Sequence, residues 1–346
     1  MNESASWRLT PMRRLARRWG IDYHRAFASY RADWSALRFS DGRPIQYATP
    51  VPTMIPELGV VRAPRARVLG VDGWAVVGHN RLIADASFVH ESPEFQHFRY
   101  LELDAPVRLH GTTLNLASTF SNNNYGHALL DSLGRLALTD ATGLDVASVD
   151  HVLIPAFWTA SLERLFVASG GDPARTIKVS DRCQFVTDEL IQPSFPGAPR
   201  VYPRSTAPYL RRLVAESAHA DRRLLMVRRS GRRAVRNADQ VIELAHKHGL
   251  ELYDPMQSAF PPGDFAQAAL AVSAHGADLS DIAFMPPGGT VIELLPSGNR
   301  YPYFGTLAAS SGLGYAAVDC ASVDDSPHSD FNVDVEELDR LLRTLD

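Results

Sequence analysis

The sequence predicts an α/β protein of two Rossmann-like domains facing a cleft, with a small β-rich prelude at the N-terminus. Three observations lead there. From Thr113 onward short apolar runs alternate with helix-like segments, the pattern of parallel strands joined by crossover helices. The segment QPSFPGAPRVYPRSTAP (192–208) holds five prolines and interrupts that pattern, as an interdomain join does. Two α/β halves with such a join leave a crevice between them, a frequent place for a ligand. The expected parts are residues 1–112 as a basic helix and β-rich prelude belonging to the N-terminal domain, 113–205 as the rest of that domain, and 206–346 as the C-terminal domain.

Residues 1–38 carry Arg8, Arg13, Arg14, Arg17, Arg18, Arg25, Arg31 and Arg38, interleaved with Trp7, Leu15, Trp19, Phe27 and Trp34. A basic helix with aromatics can lie on an anionic membrane. Here the apolar face is narrow and Asp22 and Asp33 intrude, so a helix packing its aromatics on its own domain is the preferred reading. Between 43 and 112 the runs RVLGV, WAVVG, RLIAD, SFVHE and PVRLHG read as short strands and hairpins. TLNLAS then predicts a buried strand, and Tyr125 to Ala141 a helix capped by Asn124 or Asn123. HVLIPA (151–156) and TIKVS (176–180) are strands around a helix at 159–168, and Tyr209 to His219 predicts a connecting helix. Five strands follow: 223–229, 250–255, 269–274, 290–296 and 315–320. Helices at about 237–248, 263–268, 278–285, 302–311 and 335–345 separate or close them, giving a doubly wound sheet.

The composition bounds the function. The chain has 346 residues, 45% hydrophobic and 21% charged, enough for two domains. A net charge of -4 gives no sign of a general nucleic-acid binder. Two distant cysteines, Cys183 and Cys320, fit a reducing compartment rather than a disulfide framework. No apolar run approaches the ~18 residues of a membrane span or follows the N-terminal arginines as a secretory signal would, so the expected location is cytoplasmic. G-x-G-x-x-G, GxxxxGK[ST] and GxSxG are absent, which disfavours a dehydrogenase, an NTPase and an α/β-hydrolase. HExxH spacing is absent, and no catalytic metal site is expected.

Three blocks could carry chemistry. In NNNYGHALLDSLGRL (122–136), His127 and Asp131 stand four apart, so a helix puts them on one face, and Arg135 continues it. A carboxylate beside an imidazole can act as a general base on a hydroxyl; ordinary polar surface residues are the plainer alternative. In MVRRSGRRAVRN (226–237), five arginines follow a strand and lead into a helix at Asn237, and guanidinium forks suit a diphosphate. In AHGADLSDIAFMPPGGTVIELLP (274–296), an apolar strand turns through His275 and Gly276 into a short helix, and Glu293 stands in the next buried strand. Free N–H groups at such a turn favour an anion, and a strand-end acid can accept hydrogen bonds from sugar hydroxyls. A turn histidine and a structural acid are the alternative.

Taken together, and in this order, the blocks resemble glycosyltransferase family 61. HGA at 275–277, FMPPG at 284–288 and VIEL at 291–294 match its signature. Asn124, His127, Asp131, Arg135 and Leu136 match its N–x–x–H–x–x–x–(D/E)–x–x–x–R–L segment, and Arg228, Arg229, Arg232, Arg233 and Asn237 its arginine-rich block. Asp278 and Asp281 depart from the pattern, standing where Gly and Asn are usual. The resemblance implies an inverting, metal-independent nucleotide-sugar glycosyltransferase of GT-B arrangement, without a cofactor and with a UDP-sugar as donor. The bacterial members associated with capsule or surface polysaccharide fit best, with a glycan or lipid-linked glycan as acceptor. By the same resemblance Asp131 is the base, assisted by His127. The nucleotide-sugar contacts are Asn124, Arg228, Arg229, Arg233, Asn237, His275, Gly276, Ala277 and Glu293, with Glu293 on the ribose. A lipid-linked acceptor would give the basic N-terminus a reason for peripheral contact at the inner face of the membrane. The rival readings are a non-catalytic nucleotide-sugar or polysaccharide-binding protein of the same fold and a scaffold in a polysaccharide assembly complex.

Overall fold

The structure, a computed structural model, describes residues 8–86, 102–215 and 220–346. Its contacts divide the chain into two units, Met1–Tyr30 with Met54–Pro199 and Arg31–Thr53 with Arg200–Asp346. The first unit is a mixed sheet of ten strands: β1 (Arg8–Thr10), β2 (Asp22–Phe27), β3 (Leu58–Pro64), β4 (Arg67–Leu69), β5 (Trp74–Val77), β6 (Arg81–Ile83), β7 (Val107–Asn115), β8 (His151–Ile154), β9 (Thr176–Lys178) and β10 (Gln184–Pro193). The order is β1-β6-β5-β4-β10-β7-β8-β9, with β3 also paired to β10 and β2 to β3. Strands β10, β7, β8 and β9 are parallel, as the alternation with helices predicts. Strands β4, β5 and β6 are joined by short hairpins and pair antiparallel, as turn-rich sequence dictates, while β2 pairs antiparallel with β3 across the long segment 28–57. Of the prelude runs, SFVHE lies outside the described residues. Helix α1 (Met12–Trp19) closes this unit with Met12 and Leu15 in a core shared with Val61, Ala63, Ile83 and Leu190.

The second unit holds β11 (Arg222–Met226), β12 (Glu251–Leu252), β13 (Ala268–Ala274), β14 (Thr290–Pro296), β15 (Gly314–Ser322) and β16 (Phe331–Asn332), ordered β12-β11-β13-β14-β15-β16 and parallel except for the last. The strands were legible because buried parallel strands are near-continuous apolar runs. Alternation sorts their side chains. Leu270, Val272, Ile292, Leu294 and Val318 pack under helices α2 (Ala238–Lys247) and α3 (Val335–Arg343), through Val241, Ala245, Leu338 and Leu342. Glu293, Leu295, Tyr315 and Ala317 point to the opposite face. There Phe39 and Ile45 cover Leu295 and Ala317. Residues 31–53 thus belong to this unit, which corrects the expectation that everything before 113 goes with the N-terminal domain. Their apolar side chains find a free sheet face that proximity in sequence does not reveal. The expected helix 209–219 also differs: among the described residues it spans Thr206–Arg212 and ends where Leu213 and Val214 close back by tight turns, while 216–219 lie outside the described residues.

Strand order decides where a ligand can sit. The chain leaves β11 towards β12 on one side and returns to β13 on the other. The connections at the carboxyl ends of β11 and β13 therefore diverge and open a crevice, the switch point at which α/β sheets bind ligands.

Candidate active site

Each unit gathers one set of the residues expected to carry chemistry. In the first, residues 125–141 are helical throughout, as expected, but not one regular helix. One α-helical turn at Tyr125–His127 gives way to a wider π turn at Ala128–Ser132, a tight turn at Leu133–Arg135 and α-helix again at Leu136–Ala141. The Leu133 N–H reaches back to the carbonyls of both Ala128 and Leu129. Arg135 holds the distortion: its Nε donates to the Asp131 carbonyl at 2.8 Å, and its Nη2 to the Ala86 carbonyl and Ser118 Oγ. Such π turns are concentrated at functional sites.

The Asn124 side chain caps the start, accepting from the His127 N–H at 3.3 Å. His127 Nδ1 lies 2.6 Å from Asp131 Oδ2, and its ring is 5.5 Å from that of Phe120. Asp131 is only 2% exposed, and its Oδ1 is buried with no hydrogen-bond partner among the described residues. A buried acceptor left unmade costs ~1–3 kcal/mol, so this oxygen keeps unused hydrogen-bonding capacity. Arg135 is fully buried, and burial pulls its pKa down to about 10 against the opposing charge of Asp131.

In the second unit the crevice at the switch point is lined by Met226, Arg228, Arg232, Arg233, Ser273, Ala274, His275, Gly276 and Asp278. The loop after β11 brings the arginines there. Arg233 adopts a left-handed conformation (φ 56°), and the loop is pinned by Arg233 N–H to the His328 carbonyl and Ala234 N–H to Asp330. Strain of this kind persists only where the surroundings enforce it. Half-buried Arg233 has its pKa lowered, by burial first and then by the charges of Arg228 and Arg232. Its guanidinium lies over Gly276, where an added Cβ would meet Nη2 at 3.6 Å.

The turn itself differs from the expected open helix start. Residues Ala277–Phe284 form a tight 3-10 segment entered through extended backbone at Gly276. The acid at its head is engaged: Asp278 Oδ2 binds Arg228 Nη2 at 2.5 Å and Nε at 3.2 Å. Asp281 is buried in the segment, 1% exposed.

Behind His275 stands a buried support. His275 Nδ1 is 2.5 Å from Glu293 Oε1, and the Tyr315 hydroxyl donates to Glu293 Oε2 at 2.5 Å. The imidazole meets Phe304 edge-on at 5.0 Å. Glu293 is fully buried and both its oxygens are engaged, so the expectation that it meets ribose hydroxyls is corrected: it orients His275. Burial, and then the Glu293 charge, raise the Tyr315 pKa well above the usual tyrosine value.

The structure therefore brings Arg228, Arg233, His275 and Gly276 to one crevice, with Ala277 at the first turn beyond it. Two expected contacts are elsewhere. Arg229 pairs with Asp239 on the exposed start of α2. The Asn237 side chain clips the Val333 backbone, accepting from its N–H at 3.0 Å and donating to its carbonyl at 2.8 Å. Arg229 turns away beyond the strand end to the exposed start of α2, and Asn237, at the head of that helix, is taken up by the Val333 backbone. Asn124 acts as a helix cap in the first unit. Sequence reasoning missed Tyr315, whose place at the head of an apolar strand carries no signal, and the pairing of Asp278 with Arg228, fifty positions apart.

Residues 125–292 match the family model for Glycosyltransferase 61. This stretch belongs to glycosyltransferase family 61. The matched region takes in His127, Asp131, Arg228, Arg233 and His275, and so contains the crevice and the buried dyad. The family is one of glycosyltransferases, enzymes that take a sugar donor and a glycan acceptor. No curated protein matches the chain. Among the described residues no helix is long and apolar enough to cross a membrane.

Proposed function

We propose that this family 61 protein is an inverting glycosyltransferase of GT-B type. It takes a sugar from a nucleotide diphosphate, with a UDP-sugar as the simplest donor, and passes it to a glycan or lipid-linked glycan hydroxyl in capsule or surface polysaccharide synthesis. The observation that carries the reading is the crevice lined by Arg228, Arg232, Arg233 and His275 at the switch point of a doubly wound sheet. A diphosphate seated there meets guanidinium forks, the Gly276 backbone and an imidazole fixed from behind by Glu293.

The chemistry is one displacement. The acceptor hydroxyl oxygen bonds to the anomeric carbon as the bond from that carbon to the phosphate oxygen breaks, and the diphosphate leaves with the electron pair. Asp131 Oδ1, free of partners, takes the hydroxyl proton, while His127 holds Oδ2. Arg228 and Arg233 neutralise the charge that grows on the leaving group, a task they can perform without a metal ion. The rival reading, a binding protein without turnover, draws on the Asp278 carboxylate already seated on Arg228.

Thermal unfolding of the purified protein against nucleotides and nucleotide sugars, with and without EDTA, tests the proposal. A ligand at one hundred times its Kd adds about 2.7 kcal/mol, and Arg233→Met should abolish that gain. Stabilisation by a nucleotide diphosphate that EDTA leaves intact is the expected result. If no nucleotide stabilises the protein, the donor site is not in this crevice.

A further inference from the structure

Helix α1 buries Met12 and Leu15 from its apolar face. Met12 and Leu15 are 1% and 0% exposed, locked in the core of the first unit. Its outward arc is four guanidiniums, Arg13, Arg14, Arg17 and Arg18, with like charges stacked at i and i+4. Strand β2 adds Tyr23 and Arg25 from the same side, two positions apart. Together they line an open hollow of about 1070 Å³. Of the acids near it among the described residues, Glu57 is taken: it accepts from the Tyr23 hydroxyl at 2.6 Å and pairs with Arg13 at 2.6 Å. Among the described residues Arg14, Arg17 and Arg25 have neither an ion pair nor a hydrogen bond through their side chains.

The helix that carries the array is anchored at both ends. The Met12 N–H donates to Asp85 at 2.6 Å at one end of the helix, and Gly20 closes the other in a left-handed turn. Stacked like charges destabilise a helix, so an array in which, among the described residues, only Arg13 is ion-paired points to an anionic partner. From Arg13 to Arg18 the helix rises about 7.5 Å, a spread that suits several separate phosphates better than one. At the end of the helix the half-exposed Trp19 lies under the Arg81 and Arg18 guanidiniums, 3.9 and 5.5 Å from its ring centre. Arginine and tryptophan side by side suit a membrane–water interface.

We propose that this face docks the protein on an anionic bilayer, with Arg14, Arg17 and Arg25 binding lipid phosphate headgroups. The apolar face of α1 is committed to the core, so docking is by charge and not by insertion of the helix. The inference does not depend on the donor-site reading.

The test is co-sedimentation of the full chain with vesicles of phosphatidylcholine alone or mixed with phosphatidylglycerol. Binding is expected only to the anionic vesicles, lost at about 0.5 M salt, where screening is nearly complete over a few ångströms. The triple variant Arg14→Gln, Arg17→Gln, Arg25→Gln should bind them on the order of 100-fold more weakly, with its thermal midpoint unchanged. Three results would overturn the proposal: no binding to anionic vesicles, equal binding by the triple variant, or binding that survives high salt. If vesicles are not bound but inorganic pyrophosphate gives a calorimetric signal that the triple variant loses, the hollow serves a soluble phosphate and the membrane assignment fails.

Discussion

Asp278 is the sharpest point at which the donor crevice can be probed. In the proposed donor site its carboxylate lies on Arg228 where a phosphate oxygen would bind, so on that reading an entering anion displaces it and then sits beside it. The pair is 50% and 28% exposed, so breaking it costs only ~0.2–1 kcal/mol. The repulsion that follows is the larger part. Two unit charges ~6 Å apart interact by ~0.7 kcal/mol in water and ~3 kcal/mol at an effective dielectric of 20, and an open crevice lies nearer the first. Together the two effects amount to ~1–2 kcal/mol, so Asp278→Asn should bind UDP about 5- to 30-fold more tightly in isothermal titration. Asp239→Asn, which removes the partner of Arg229 outside the crevice, should change nothing. Unchanged or weaker binding by Asp278→Asn would refute the argument and make Asp278 a residue that orients Arg228 for the ligand.

Three further outcomes follow from the geometry. Asp131→Asn should cut turnover at least 100-fold while leaving the nucleotide-induced thermal shift intact, because the dyad does not line the donor crevice; turnover within a few-fold of wild type would remove Asp131 as base. Glu293→Gln puts a buried amide against the Tyr315 hydroxyl and His275 and should cost ~1–3 kcal/mol, seen as a midpoint lowered by a few degrees in thermal denaturation; an unchanged midpoint would deny Glu293 its supporting role. The third concerns pH. His248 lies between Asp339 and Asp346, whose hydrogen bonds raise its pKa, while the same contacts lower those of the two aspartates. The histidine's contribution is full below its unfolded pKa of ~6.5 and fades as pH rises through the folded value; that of the aspartates is full above ~3.9 and is lost on acidification. The stability gap between wild type and His248→Gln should therefore be widest near pH 5–6 and shrink as pH rises past the ordinary histidine range. A gap independent of pH would show that the cluster contributes packing alone.

The second unit was legible because its signals are local. Strands at 290–296 and 315–320 announce themselves as apolar runs, and the 238–247 helix by its periodicity between a strand end and Gly249. The first unit was harder. Its prelude strands are short, and that they join the same sheet as β7 and β10 depends on antiparallel pairing between distant segments. The π turn at 128–132 was invisible for a similar reason: it needs Arg135 to be buried against Ala86 and Ser118, which local propensity cannot report.

By itself the sequence determined the alternation that makes the doubly wound sheet, the arginine-rich loop after β11, and the four-residue spacing that brings His127 to Asp131. All are set by neighbours within a turn or a strand, where backbone geometry alone dictates who meets whom. Only the tertiary structure decided that Glu293 stands behind His275 with Tyr315, that Asp278 occupies Arg228, that Arg229 and Asn237 turn away from the crevice, and that residues 31–53 cover the second sheet. Each of those depends on side chains brought together from distant parts of the chain, and on which face of the sheet they arrive.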